Sequence, residues 1–167
     1  MKKLIFTVLL SVGTLIGANA QSLKLGHVNS QNVINDMPEY KEMTEVLKAK
    51  NDELMKELQE LEKVYMTKMK EYEDPSTSET RKKVLQGDII DLESRVQQRQ
   101  ESGQAQLEQL SVSLRTPLLE KIDKAIKEAA SENKMNYVFD TAALLYFDGG
   151  EDLTNKVRAK LGLPVAP

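Results

Sequence analysis

From Glu39 to Glu73 the chain contains neither proline nor glycine, and its apolar residues return at steps of three, four or seven: Tyr40, Met43, Leu47, Leu54, Leu58, Leu61, Tyr65, Met69 and Tyr72. That spacing follows one face of an α-helix, and its near-heptad period predicts a coiled-coil seam. At about 1.5 Å per residue the helix is roughly 50 Å long. It cannot pack along its whole length inside a small domain, so it is predicted to project as an arm. Pro38 falls in the first helical turn, where a missing N–H is no loss. Asp74-Pro75-Ser76-Thr77-Ser78 ends the pattern, and Ser76 with Glu79 has the form of a capping box opening a second helix. The second helix carries Leu85, Ile89, Leu92, Val96, Leu107, Leu110 and Leu114, and beyond Pro117 also Leu118, Ile122, Ala125 and Ala129. So short a turn between two periodic helices predicts an antiparallel hairpin. A single register pairs Tyr40 with Leu110, Met43 with Leu107, Leu54 with Val96, Leu58 with Leu92, Leu61 with Ile89 and Tyr65 with Leu85. Pro117 predicts a bend where the second helix leaves the arm.

The flanking segments read differently. Leu23 to Asn29 alternates loosely and predicts a strand, followed by a turn and a short helix up to Met37. At the far end, Asn136 to Asp140 and Leu144 to Phe147 read as two strands, with Asp148-Gly149-Gly150 as a turn. Asp152 is placed as the N-cap of a short helix from Leu153 to Leu161, which Gly162 and Pro164 end. The hairpin would bring the first strand beside the last two. The predicted fold is therefore α+β and mostly α, with a long antiparallel coiled-coil hairpin projecting from a small β-containing body. Residues 21–37 and 117–167 form the body and 38–116 the arm, within one domain.

Residues 1–20 stand apart. Met1-Lys2-Lys3 is a basic start, Leu4 to Ile16 is apolar, and Ala18-Asn19-Ala20 has the small-x-small form of a cleavage site. This predicts an export signal removed after Ala20. The apolar run is short for a membrane span, and no cysteine follows it to carry a lipid. No later segment is apolar enough to span, so no stable membrane insertion is expected. The whole chain of 167 residues has 23 Lys and Arg against 26 Asp and Glu, and losing Lys2 and Lys3 brings the bases from 23 to 21. An acidic chain is a poor nucleic-acid binder, and none is expected as a partner.

The same inventory excludes most chemistry. With no cysteine, disulfides, thiol catalysis and thiolate metal sites are impossible. The one histidine, His27, has no His or Cys partner for a metal and reads as a structural or surface residue. Neighbouring acids such as Asp52 with Glu53 and Glu60 with Glu62 lie on a helix expected to be exposed, and read as solvated charge and not as an acid/base dyad. Asp148 to Asp152 lacks the spaced ligands and terminal Glu of a calcium loop. There is no phosphate-binding glycine motif. No enzyme, cofactor or metal is expected.

Gly26-His27-Val28-Asn29-Ser30 before Met37-Pro38-Glu39-Tyr40, and the tail Tyr137-Val138-Phe139-Asp140, Leu145-Tyr146-Phe147, Asp152-Leu153-Thr154, Val157 and Leu161, resemble the Skp/OmpH family of periplasmic chaperones. The resemblance covers essentially the whole processed chain. It implies a homotrimer with a β-rich body and helical arms around a cavity. It further implies a periplasmic, ATP-independent holdase whose partners are unfolded outer-membrane proteins. It also brings a weak lipid or lipopolysaccharide contact into view, against which the acidic balance of this chain argues. A body this small and without disulfides independently favours an oligomer, with Tyr137, Phe139, Tyr146 and Phe147 as the residues to be covered. The alternative is a structural coiled-coil spacer or scaffold of the envelope, whose arms would be polar away from the seam. Met55, Met66, Val84 and Ile90 lie off the seam and are the client-binding candidates, since flexible thioethers suit promiscuous surfaces. On the register above, Leu47 faces Gly103, and Asn51 lies near Arg99, leaving an underpacked middle that predicts a hinge.

Overall fold

The structure, a computed structural model, describes residues 23–165. The expected export signal and its expected cleavage after Ala20 lie outside the described residues. The chain runs β1 (Leu25–Val28), α1 (Ser30–Asp36), α2 (Pro38–Glu73), α3 (Glu79–Glu132), β2 (Tyr137–Asp140), a single 3₁₀ turn (Thr141–Ala143), β3 (Glu151–Asp152) and α4 (Thr154–Lys160). The protein is thus mostly helical with one small sheet.

Local chemistry sets most of these boundaries. Asn29 Oδ1 accepts a 2.9 Å hydrogen bond from Asn32 N–H and so caps α1. Pro38 opens α2 at the position that needs no donor. α2 is 36 residues long, about 54 Å. Its partner α3 has 54 residues and opens on Ser78, whose hydroxyl accepts from Arg81 N–H at 3.3 Å. The capping box predicted from Ser76 does not form. Asp74 Oδ1 takes both the Ser76 N–H (2.8 Å) and its hydroxyl (2.6 Å), which uses Ser76 to close the turn instead. α3 is continuous through Pro117. It ends with Lys134 in the left-handed region (φ 55°) and Met135 N–H returning to the Ala130 carbonyl. Gly162, at φ 71°, ends α4 in the same way, with Leu163 N–H returning to the Arg158 carbonyl.

The sheet has the order β2-β1-β3, and both pairings are parallel. Leu25 stands beside Tyr137 and His27 beside Phe139 on one edge of β1; His27 stands beside Asp152 on the other. One predicted strand is displaced. Leu144 to Phe147 is irregular, and the third strand is Glu151–Asp152. Asp140 Oδ1 accepts from Ala142 N–H at 3.0 Å, which turns the chain out of β2. The N-cap of α4 is Leu153 and not Asp152 as expected; Asp152 stands one residue earlier, and its Oδ1 accepts from Thr154 N–H at 2.8 Å.

The apolar core lies at one end of the long helices. Val28, Val33, Met37, Leu118, Ile122, Ala125, Ala129, Leu153 and Val157 are buried together, with Tyr40 and Val138 against them. Among the described residues no helix is long and apolar enough to cross a membrane.

Contacts between α2 and α3 climb one helix as they descend the other: Glu39 to Lys121, Glu57 to Arg99, Tyr65 to Glu93 (3.2 Å), Lys68 to Asp88 (2.6 Å) and Glu71 to Arg81 (2.7 Å). These pairs correct the expected register. Leu54 does not face Val96 but Gly103, a heptad further along, and Tyr65 reaches Glu93 where Leu85 was expected. Both registers keep apolar residues in the seam, because a heptad slip preserves the repeat. The observed one gives Leu54 the only seam position on α3 that lacks a side chain.

The cross-helix pairs make a prediction about acid. A hydrogen bond from Arg99 holds the Glu57 carboxyl below its usual range, one from Arg81 does so for Glu71, and one from Lys68 for Asp88. A carboxyl depressed in the folded state stabilises above its unfolded pKa, and the gain is lost as pH falls through the folded value. Amide protection at Ile89 and Leu92 should therefore be lower at about pH 3 than at pH 7, with the difference reduced by high salt. Equal protection at both pH values would contradict a contribution from these pairs.

Candidate functional site

The seam and the outer faces of the arm divide cleanly. Met43, Leu54, Leu85, Ile89 and Leu92 are buried between the helices. Off the seam, Met55, Met66, Val84 and Ile90 are all about half exposed, Met66 at 60% and Ile90 at 59%. Val46, Val64 and Val112 are exposed as well.

These residues do not form one surface. Met55, Glu62, Met66 and Met69 follow each other at steps that keep one stripe of α2. That stripe borders a groove between the helices lined by Leu58, Glu62 and Tyr65 on one side and Glu93, Val96 and Gln97 on the other. Ile90 precedes Glu93 by one turn on the same flank of α3. A separate groove on the opposite flank is lined by Val64, Leu61 and Glu57 with Arg99. Val84 lies one turn before Asp88, whose ion pair with Lys68 lies on that flank. So the structure brings Met55, Met66 and Ile90 to one flank and leaves Val84 on the other.

The four residues expected at a hinge are not gathered in one layer. Leu47 and Asn51 share a groove with Leu107 and Ser111. Gly103, one turn from Leu107 on α3, is buried, and a Cβ there would lie 2.5 Å from both methyl groups of Leu54. Arg99 is occupied by Glu57 across the seam. In this packing Leu47 therefore does not face Gly103; its place opposite the glycine is taken by Leu54.

On the body, the outer face of the sheet is aromatic. Tyr137 and Phe139 alternate outward on β2 with ring centroids 6.3 Å apart, while Val138 turns inward to the core. Phe147 folds back over His27 at 4.8 Å between centroids. Leu145 and Tyr146 (80% exposed) extend beyond it. His27 Nε2 lies 4.0 Å from Asp152 Oδ2, and among the described residues no cluster of His, Cys, Asp or Glu could hold a metal.

Sequence reasoning missed Arg158. It is 2% exposed beneath the body. Its Nε donates to the Pro164 carbonyl (2.6 Å) and one terminal nitrogen to both Asn32 Oδ1 (2.9 Å) and Asp36 Oδ2 (2.7 Å). Asn32 and Asp36 are one turn apart on α1, so a single guanidinium bridges α4, α1 and the tail. Nothing in the sequence distinguishes this arginine from those on the arm surface.

A long helical pair rising from a small sheet and core defines the class to which the chain belongs. Residues 24–161 match the family described as outer membrane protein (OmpH-like), and the protein is a member of that family. An uncharacterized protein of Aquifex aeolicus (strain VF5) is 27% identical over 148 residues, covering 89% of this chain and 91% of its own length. The chaperone protein Skp of Yersinia enterocolitica is 24% identical over 159 residues, covering 94% of this chain and 97% of its own.

Proposed function

We propose that the protein is an ATP-independent holdase of the periplasm that keeps unfolded outer-membrane proteins from aggregating, and that it is not an enzyme. The observation that carries this reading is the arm. Its seam is already filled, yet Met55, Met66 and Ile90 remain exposed beside an open groove. A spacer gains nothing from apolar residues off its seam, whereas a holdase needs soft apolar surface surrounded by water. Family membership and the relative named as a chaperone support the same reading. The test is to dilute a urea-unfolded outer-membrane β-barrel protein into the processed chain without ATP. Near-stoichiometric protein should suppress light scattering; no suppression with several such clients would favour a spacer.

Clients, on this reading, touch the off-seam residues weakly and at many points. Changing Met55, Met66, Val84 and Ile90 together to Gln should weaken holding while circular dichroism shows helicity nearly unchanged. The split between flanks adds a finer expectation: Val84→Gln alone should matter less than Met55→Gln with Met66→Gln. Unchanged holding by the quadruple variant would refute this surface.

The body is the assembly unit of a proposed homotrimer. Its core is small, and Tyr137, Phe139, Tyr146 and Phe147 are exposed in the single chain. Removing 50–107 and closing the cut with a short turn follows the observed register and should leave the oligomer intact. Sedimentation of that shortened protein as a monomer at micromolar concentration would exclude the body as the driver.

A further inference from the structure

We infer that the exposed methionines of the arm, Met55 and Met66, are a reversible oxidation site through which two-electron oxidants loosen the protein's hold on its clients. The inference rests on the holdase reading and extends it to regulation.

Among the described methionines, two pairs stand at the extremes of exposure, with Met69 and Met135 half-buried between them. Met37 is 1% exposed in the body core and Met43 is 6% exposed in the seam, whereas Met55 is 48% and Met66 60% exposed. Met69 is half-buried on the same stripe as Met55 and Met66. An oxidant meets the outer thioethers in water and must wait for local opening to reach the inner ones. The chain has no cysteine, so no thiol competes for the reagent. With no thiol present, thioether oxidation is the reversible sulfur oxidation this chain offers.

The step balances simply. Hypochlorous acid transfers its oxygen to the sulfur, which becomes a sulfoxide and loses two electrons, and chloride and a proton leave. Reduction by a dithiol of the methionine sulfoxide reductase class returns the thioether, with water and a disulfide as products. The physical effect follows from polarity. A flexible apolar side chain becomes a polar one, on the flank proposed to touch clients. The helices themselves tolerate the change, because neither residue is in the seam.

The test uses the processed full-length protein, a titration with hypochlorous acid, and peptide mass spectrometry. Met55 and Met66 should be oxidised at least about tenfold faster than Met37 and Met43, given the difference in exposure. Oxidation of all methionines at one rate would overturn the selective site. In parallel, the concentration needed for half-suppression of client aggregation should rise about fivefold on oxidation and return after treatment with both sulfoxide reductases. The double variant Met55→Leu, Met66→Leu is compared with itself before and after the same dose. Whatever its starting level, it should keep that level. Oxidised wild type that holds clients as well as untreated protein overturns the proposal and leaves the holdase reading standing. Untreated protein that fails to hold any client overturns that reading and this one with it. Loss of helicity in the oxidised protein would show that the effect runs through the fold and would also overturn the proposal.

Discussion

Replacing Gly103 with alanine should destabilise the arm by about 1–3 kcal/mol, the usual range for overpacking a well-filled site. The sign is the opposite of the ordinary one, since glycine to alanine in an open helix gains about 1 kcal/mol. The reason is the 2.5 Å approach of the new Cβ to both methyl groups of Leu54. A methyl group cannot occupy that space unless Leu54 or the helix moves. The same substitution made in a Leu54→Ala background should therefore recover its ordinary sign and stabilise by roughly 1 kcal/mol. Hydrogen exchange at the arm amides, or thermal melting followed by circular dichroism, measures the cycle. Additive effects of the two changes would show that the leucine does not sit in the glycine notch. A larger residue, Gly103→Leu, should be worse than alanine and not stiffen the arm.

Replacing Arg158 with alanine should cost the body about 2–4 kcal/mol. Hydrogen bonds to a charged group contribute roughly 1.5–3 kcal/mol, and the side chain is buried on every side. Three acceptors lose their donor together: the Pro164 carbonyl, Asn32 Oδ1 and Asp36 Oδ2. Asp36 is about half exposed and can turn to water, which keeps the loss below that of a fully buried pair. Lysine keeps the charge but not the fork, so Arg158→Lys should recover only part of the difference. Denaturant unfolding checks both variants. A variant Arg158→Ala as stable as the wild type would mean that α1 and α4 are held by apolar packing alone.

These two residues also mark where sequence reading stopped. The long helices were legible because an apolar seam repeated over many turns has no other explanation, and Pro38 and the turn at 74–78 fixed their ends to within a residue or two. The register was not legible. Two registers a heptad apart both match leucine against leucine, and what separates them is a glycine, which a count of apolar side chains passes over. The hinge expected near Leu47 rests on that same omission, since it sets Leu47 opposite Gly103, whereas the glycine lies against Leu54. The third strand was missed for a related reason. Leu144 to Phe147 has strand composition but lies irregular, with Leu145 to Phe147 exposed, while Glu151–Asp152 pairs with β1 through backbone groups that any residue supplies. Of the apolar surface, helical spacing places the exposure, and a slip of one heptad leaves each residue on its own side of the seam; that Ile90 shares the flank of Met55 and Met66 while Val84 does not is seen from the groove between the helices.

The position of β1 has a consequence for how the molecule comes into being. It is the middle strand, yet both of its neighbours come from beyond residue 136. The Lys24 amide, for example, waits for the side-chain oxygen of Asn136, 112 residues later. A ribosome or a translocation pore delivers the amino end first. α2 and α3 can zip as soon as both are out, since their contacts are local to the hairpin, but β1 stays with two open edges until the last stretch arrives. Chains cut short before residue 136 would carry a finished arm and an unpaired strand, the form most apt to join other chains edge to edge. Quality control of this protein should therefore fall on its carboxyl end, where a small loss leaves the whole body unclosed.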